Sequence, residues 1–189
     1  MDEQTFEDPD GIAQCFRDIM RGFASSVALV TTCDSEGRRH GLAATTANSL
    51  SMDPPSMLVS VNRSASAFPA LAASGLFCLT VLGHGDDAVL ARFAATDNRA
   101  ERFAAGDWRV GRHGLPWLAS GVASLFCRTD SHLDYGSHRV LCGRIEEVRG
   151  GPAMLAEPLV WRARECCRAV PLAAGDDGRS IIAAGARRS

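Results

Sequence analysis

Apolar and polar positions change their period along the chain, and the changes predict a mainly β protein with a few short helices. From Ile12 to Phe23 apolar residues recur every three or four positions, as on one face of an amphipathic helix. Strand-length apolar segments follow at Val27–Thr32, Met57–Val61, Leu76–Leu82, Gly121–Thr129, Arg139–Val148 and Leu159–Arg164. Short helices are predicted at 67–74, 86–95 and 98–103. Strands at hairpin spacing with so few helices favour an antiparallel barrel over a parallel sheet.

The same pattern predicts one domain at residues 11–173. At 189 residues the chain is long enough to bury a sizeable core. Residues 1–10 are acidic, and we expect them to form a flexible arm. Residues 174–189 are rich in Gly, Ala and charge, and we expect a mobile tail there. Residues 106–114 are predicted as a loop.

Charge and cysteine usage narrow the classes of function. The net charge is -2, so no overall basic field recruits nucleic acid or an anionic membrane. No apolar stretch approaches membrane-spanning length. The seven cysteines are scattered without a Cys-x-x-Cys spacing, which indicates reduced thiols and predicts a cytoplasmic protein.

The stretch Gly41–Ser66 carries the most chemistry. Small and hydroxyl-bearing residues precede a turn at Asp53-Pro54-Pro55, and a second polar cluster follows the strand Met57–Val61. Small side chains let a ligand approach the backbone, and Asn, Ser, Thr and Arg supply donors suited to a flat, phosphorylated molecule. Taken alone, these residues equally fit a twisted strand and its turn.

This stretch resembles the flavin-binding segment of the short-chain flavin reductase family, the small partners of two-component flavin-dependent monooxygenases. The similarity extends from about Phe16 to about Val170, and its most specific piece is the Ser-x-Asp-Pro-Pro block at Ser51–Pro55. The resemblance implies an antiparallel Greek-key split β-barrel of the FMN-binding type, usually a homodimer.

The resemblance also implies a set of flavin-binding residues. In the first polar cluster they are Ala43, Ala44, Thr45, Thr46 and Asn48. In the second they are Ser60, Val61, Asn62, Arg63, Ser64 and Ser66. Further along the chain they are Phe93, Ala94 and Arg99. Arg63 is the expected phosphate cation, with the hydroxyls of Ser64 and Ser66 as further donors.

A second candidate constellation is Tyr135-Gly136-Ser137-His138. The family commonly carries Gly-Asp-His here, with the histidine near the nicotinamide, so Ser137 and His138 are the expected nicotinamide-binding residues and His138 the expected catalytic residue. Ser137 replaces the acidic residue, and a serine favours the charged form of a neighbouring histidine only weakly. Thr80, in the strand Leu76–Leu82, replaces a common Asn.

Other chemistries have weaker support. His132, Asp134, His138 and Cys142 could be drawn as a metal cluster, but their spacing favours surface or core roles, so no metal is expected. No nucleophile-elbow pattern supports hydrolysis.

The resulting hypothesis is an NAD(P)H:flavin oxidoreductase that reduces FMN or FAD and supplies reduced flavin to a partner monooxygenase. Hydride transfer is the cofactors' own chemistry, so the protein needs no conspicuous acid–base pair. The sequence does not determine whether the preferred flavin is FMN or FAD, or whether the preferred hydride donor is NADH or NADPH. The alternative is a non-catalytic flavin-binding or electron-relay protein on the same barrel, which is favoured by the departures from the family pattern at Ser137 and Thr80. A third possibility, a flavin oxidase that acts on an organic substrate, has no positive support in the sequence.

Overall fold

A computed structural model describes residues 5, 7–95, 97, 99–150 and 157–170. The predicted tail at 174–189 and residues 1–4 and 6 of the predicted N-terminal arm lie outside this part of the chain. Helix α1 spans Pro9–Gly22 and confirms the predicted amphipathic helix. It begins inside the predicted arm, because Asp8 caps it by accepting the Gly11 amide at 2.7 Å and Pro9 suits the first turn.

The strands confirm the predicted mainly antiparallel architecture. They are β1 (Ser25–Ser26), β2 (Ala28–Cys33), β3 (Arg39–Ala44), β4 (Asn48–Met52), β5 (Pro55–Asn62), β6 (Leu76–Val81), β7 (Trp108–Val110), β8 (Pro116–Leu118), β9 (Ala123–Tyr135), β10 (His138–Gly150), β11 (Leu159–Arg162) and β12 (Glu165–Arg168). Seven of them form one antiparallel sheet in the order β3-β2-β6-β9-β10-β5-β4. A three-stranded sheet, β1-β11-β12, and the hairpin β7-β8 complete the split barrel.

Strand β2 is buried on both faces, which explains its unbroken apolar run. Successive side chains of a strand point to opposite faces. Val30 therefore joins a cluster that includes Val59 and Phe77, while Leu29 joins a second cluster with Leu90 and Phe93.

The short helices are α2 (Phe68–Ser74), α3 (Asp87–Ala94) and two 3₁₀ turns at Arg99–Phe103 and Arg112–Gly114. Gly75 ends α2 in the left-handed conformation, at φ 62°, which glycine adopts without steric cost. Among the described residues, no helix combines the length and the apolar character needed to cross a membrane.

Two predictions of secondary structure were wrong. The predicted loop at 106–114 contains β7, which pairs with β8. Strand β9 runs six residues beyond Thr129 to Tyr135. Its last residues are exposed, so no alternation of apolar and polar positions marked them as a strand.

Candidate functional site

The small residues at the end of β3 line a cavity of about 360 Å³. Its wall contains five residues of the predicted flavin site, Ala43, Ala44, Thr45, Phe93 and Ala94. Val27, Leu42, Leu90 and Trp161 complete the wall. The fold thus brings together residues about 50 positions apart, and this depression is called the β3 cavity below.

Thr46 connects the two polar clusters of the sequence. Its hydroxyl donates to the Ser60 carbonyl at 2.8 Å and accepts the Ser60 amide at 3.3 Å. Asn48 donates its side-chain amide to the Thr46 carbonyl at 3.3 Å. The side chain of Val61 is 1% exposed and packs in the core, so the predicted contact of Val61 with a ligand would have to come from its backbone.

A groove of about 310 Å³ adjoins the start of β3 and is called the basic groove. Two residues predicted for the flavin site, Ser66 and Arg99, lie in it. The remaining lining is Arg38, Arg39, His40, Gly41, Ala67, Arg102 and Phe103. Because the groove follows residues 38–41 and the β3 cavity follows residues 42–45, the two are neighbours along one strand.

Arg102 is the main residue of the groove that the sequence did not predict. Its Nη1 donates to the Gly41 carbonyl at 2.8 Å and lies 3.5 Å from the Ser66 hydroxyl, and its Nη2 donates to the Ala95 carbonyl at 3.2 Å. The guanidinium carbon lies 5.8 Å from the centre of the Phe93 ring. All these partners are uncharged, and within the described chain Nε is buried without a hydrogen-bond partner. Burial and the neighbouring charge of Arg99 lower the pKa of Arg102, but an arginine stays charged at neutral pH.

The charges in the groove are only partly neutralised. His40 and Arg38 both contact the Asp34 carboxylate, at 2.9 Å and 2.8 Å, and their hydrogen bonds lower the pKa of Asp34. Arg39, Arg99 and Arg102 have no ion-pair partner among the described residues. An anion in the groove would therefore meet uncompensated positive charge.

Arg63, the predicted phosphate cation, contacts a different part of the structure. Its Nη2 donates to the Gly136 carbonyl at 2.5 Å, and its Nη1 lies 4.0 Å from the Asp134 carboxylate. Ser64, predicted as a phosphate donor, gives its hydroxyl hydrogen to the Asn62 side chain at 2.8 Å. The segment Asn62–Ser64 therefore packs against the β9–β10 turn.

That turn carries the predicted nicotinamide site. Gly136 adopts a positive φ of 55°, which permits the tight turn between the two strands. His138 pairs with Asn62 across β10 and β5, and the Arg63 amide donates to the Ser137 carbonyl at 2.9 Å. The Ser137 hydroxyl lies 2.9 Å from Nδ1 of His138, and both side chains are exposed. The two constellations that looked separate in the sequence are in contact.

Two further expectations concern residues outside these clusters. Thr80 is fully buried, and its hydroxyl lies 2.8 Å from that of Ser124, so this departure from the family pattern serves the core. No group of three potential metal ligands occurs in the part of the chain that the structure describes.

The fold and the site together define a split-barrel protein with a small-residue cavity beside a groove lined by basic residues. A family model described as "Flavin reductase like domain" matches residues 20–169, so the chain belongs to that family. This result confirms the resemblance seen in Gly41–Ser66.

Individual relatives agree with this assignment. The NADH:riboflavin 5′-phosphate oxidoreductase of Streptomyces pristinaespiralis is 38% identical over 154 residues, covering 80% of this chain and 85% of that protein. The structure of the NADH:FAD oxidoreductase of Streptomyces globisporus superposes with a TM-score of 0.79 at 27% identity, covering 95% and 98% of the two chains. Nitrilotriacetate monooxygenase component B of Mycobacterium thermoresistibile gives 0.78 at 27% identity, covering 92% and 98%.

Proposed function

We propose that this protein is a flavin reductase that uses NADH to reduce FMN or FAD and supplies the reduced flavin to a separate monooxygenase. The observation that carries the proposal is that Gly41 lines the basic groove and the next residue of the same strand, Leu42, lines the β3 cavity, so the two depressions adjoin along β3. A flavin has the matching form, a flat ring joined by a flexible chain to a phosphate. The names of the relatives, which specify NADH with FMN or FAD, support the same donor and acceptors.

The residues present fit a flavin on chemical grounds. Ala43, Ala44 and Thr45 have short side chains, so a planar ring can approach the backbone of β3. The phosphate is proposed to lie in the basic groove, where Arg102 and Arg99 supply charge and Ser66 supplies a hydroxyl. Arg63 stays a predicted phosphate ligand, but its contact with Gly136 makes Arg102 the stronger candidate.

A bound flavin and a nicotinamide supply the hydride transfer between themselves. The protein must bind both rings in contact and limit the access of water. The hydrogen bonds between Thr46 and Ser60 hold the β3–β4 connection against β5, so the backbone groups beside the ring keep a constant spacing. We propose that His138, with Ser137, orients the nicotinamide from the neighbouring turn.

Supply of reduced flavin to a partner requires that the flavin can leave. Thr45, Thr46, Asn62, Ser64 and Ser66 are all exposed, so the proposed site opens to solvent. The relatedness to nitrilotriacetate monooxygenase component B supports this role. This openness would allow the reduced flavin to leave the site by diffusion.

A second copy of the chain is proposed as the cover of α1. The apolar face of this helix stays exposed within one chain, and its members are Ile12, Phe16, Ile19, Met20 and Phe23. This face also lines a cavity of about 380 Å³ together with Thr45 and Trp161, two residues of the β3 cavity. A partner packed on α1 would therefore shield the ring side of the site.

Oxidation of NADH and NADPH, each with FMN or FAD added separately, tests the proposal. We expect rapid oxidation of NADH with at least one flavin and slower oxidation of NADPH. Flavin binding without turnover of either nucleotide would favour the alternative of a passive flavin or electron carrier. An absence of flavin binding would overturn both functions.

A further inference from the structure

Arg63 contacts both carbonyl groups at the centre of the β9–β10 turn. Its guanidinium Nη2 donates to the Gly136 carbonyl at 2.5 Å, and its backbone amide donates to the Ser137 carbonyl at 2.9 Å. Gly136 and Ser137 are the two residues between Tyr135, where β9 ends, and His138, where β10 begins. One residue of another segment therefore holds the whole connection that precedes His138.

The segment that carries Arg63 is itself held by hydrogen bonds. The Ala65 amide donates to the Asn62 carbonyl at 3.0 Å, which closes a β-turn with Arg63 and Ser64 at its centre. The Asn62 side chain accepts the Ser64 amide at 2.9 Å and the Ser64 hydroxyl at 2.8 Å, as asparagine often does in turns. Because Asn62 also pairs with His138 across β5 and β10, this turn lies directly beside His138.

The guanidinium of Arg63 is oriented towards the β9–β10 turn and away from the proposed phosphate site. Nη1 lies 4.0 Å from the Asp134 carboxylate, which Arg139 binds through two hydrogen bonds of 2.6 and 2.8 Å. Arg63 is absent from the described residues that line the basic groove. A hydrogen bond from a charged donor is stronger than one from a neutral donor, so the contact with Gly136 is suited to fixing the turn.

The β9–β10 turn needs such a support. Gly136 has a positive φ of 55°, and glycine leaves the backbone more freedom than any other residue. Ser137 and His138 are exposed, so packing within the chain does not fix their position. A displacement of about 1 Å in a residue that positions a substrate can cost about a hundredfold in rate.

We infer that Arg63 is a positioning residue for flavin reduction, which fixes the β9–β10 turn so that His138 meets the nicotinamide. The inference rests on the proposed function, because it takes His138 as the residue that orients the nicotinamide. It gives Arg63 a task other than binding the flavin phosphate. It also connects the strand that carries Ser60, in the proposed flavin site, with the turn that carries the nicotinamide contact.

The experiment measures the Kd of FMN and kcat/KM for NADH in Arg63→Ala, His138→Ala, the double variant and the wild type. Arg63→Ala should lower kcat/KM by about tenfold to a hundredfold, and by no more than His138→Ala does. FMN binding should weaken by less than about threefold, because the lost contact is to the turn and not to the flavin.

The double variant tests whether Arg63 acts through His138. Adding Arg63→Ala to His138→Ala should lower kcat/KM by less than about a further twofold, because the residue that Arg63 positions is already absent. A loss that merely destabilised the protein would not depend on His138 in this way. Losses that multiply in the double variant would overturn the inference, since Arg63 would then act independently of His138.

Arg139→Ala is the matched control. It removes another arginine that binds Asp134, but it leaves both carbonyls of the turn bound to Arg63. Its kcat/KM should stay close to the wild-type value. Arg63→Lys keeps a charged donor for the Gly136 carbonyl and should recover most of the rate that Arg63→Ala loses. Equal rates in Arg63→Lys and Arg63→Ala would overturn the inference.

Thermal unfolding checks that the compared variants are folded. The Arg63 side chain is 46% exposed, so Arg63→Ala should fold. If it does not, Arg63→Met, which keeps an apolar stem but has no donor, takes its place in both the single and the double variant.

The outcomes separate this inference from the proposed function. If the wild type reduces no flavin, the proposed function fails and the inference fails with it. If the wild type reduces flavin but Arg63→Ala or His138→Ala is as fast, only the inference fails. A loss of FMN affinity in Arg63→Ala as large as that in Arg102→Ala would make Arg63 a phosphate ligand and would also overturn the inference.

Discussion

Arg102 donates a hydrogen bond of 2.8 Å from Nη1 to the carbonyl oxygen of Gly41, 61 positions earlier in the chain. A second bond, to the Ala95 carbonyl, connects the same guanidinium to the end of α3. Arg102 is thereby fixed between the basic groove and the β3 cavity. Because carbonyl groups hold it without neutralising it, its charge remains available to a ligand phosphate.

The first prediction compares the two candidate phosphate cations. Arg102→Ala should weaken flavin binding by about tenfold to a hundredfold, as expected for one lost charge-assisted contact. Arg63→Ala should have a smaller effect, because Arg63 already donates to Gly136 and lies near Asp134. Fluorescence titration with FMN measures both affinities.

Arg102→Lys serves as the control for charge alone, and we expect an intermediate affinity because lysine cannot reproduce the guanidinium fork. Thermal unfolding of the flavin-free variants separates lost binding from lost folding. A larger loss of flavin affinity in a folded Arg63→Ala protein than in Arg102→Ala would identify Arg63 as the main phosphate ligand.

The second prediction concerns His138. His138→Ala should lower kcat/KM for NADH by about 10- to 1000-fold, as loss of one orienting or electrostatic contact can do. Flavin affinity should change far less, because the proposed phosphate site contains Ser66 and Arg102. Stopped-flow reduction of bound flavin, at several NADH concentrations, measures the effect.

Arg139 offers a comparison on the next residue of β10. Its side chain is bound to Asp134 by two hydrogen bonds, of 2.6 Å and 2.8 Å, and has no proposed part in the reaction. Arg139→Ala should therefore lower the free energy of unfolding but leave kcat/KM for NADH close to the wild-type value. Equal rates in the His138→Ala and wild-type proteins would remove His138 from the mechanism.

The third prediction tests the cover of α1. Phe16→Glu places a charge on the exposed apolar face and should convert a homodimer to monomers at micromolar concentration, with weaker flavin reduction. Gln14→Glu introduces the same charge on the opposite face of the helix, since the two positions are about 160° apart around the axis. Sedimentation velocity should show dimers for Gln14→Glu and the wild type. A wild-type monomer with full activity would contradict the proposed dimer.

The fourth prediction concerns acid stability and Glu146. His113, Arg128 and Arg112 lie 2.6, 2.8 and 3.1 Å from its carboxylate, and their hydrogen bonds lower the pKa of Glu146 from 4.5 to about 2. A depressed folded-state pKa gives stability that is present above pH 4.5 and is lost as the pH falls towards 2. Glu146→Gln should thus be less stable at neutral pH and lose less stability across this interval.

Urea unfolding between pH 7 and pH 2.5 measures this difference. Glu147→Gln is a suitable comparison, because Glu147 pairs only with Arg149 among the described residues and leaves the Glu146 cluster intact. Its curve should keep the wild-type slope between pH 4.5 and 2.5. Parallel curves for Glu146→Gln and the wild type would show that this cluster does not control acid stability.

The sequence predicted many of the helices and strands because the pattern of apolar residues within each segment determines them. The spacing of Ile12–Phe23 predicted α1, and strand-length apolar segments predicted β2, β5, β6, β9, β10 and β11. The pattern failed at 130–135, where the residues of β9 are exposed and only pairing with β10 keeps them extended. Such pairing is a long-range property that no local window contains.

The candidate site was predicted less completely for a similar reason. The resemblance identified Ala43–Thr45, Phe93 and Ala94, which the fold brings into one cavity. Arg102 was missed, because an arginine in a short polar segment is normally a solvated surface residue. Arg102 is held in the basic groove by its hydrogen bond to the Gly41 carbonyl, and this contact exists only after the barrel has formed.

The most direct test of the central claim is the reaction of the wild-type protein with NADH and FMN, followed anaerobically by the loss of flavin absorbance. Reduction should be saturable in NADH and far faster than the same reaction in free solution. The rate should fall when Arg102 or His138 is replaced. Reduction of FMN no faster than in solution, in a folded protein that binds FMN, would contradict the assignment as a flavin reductase.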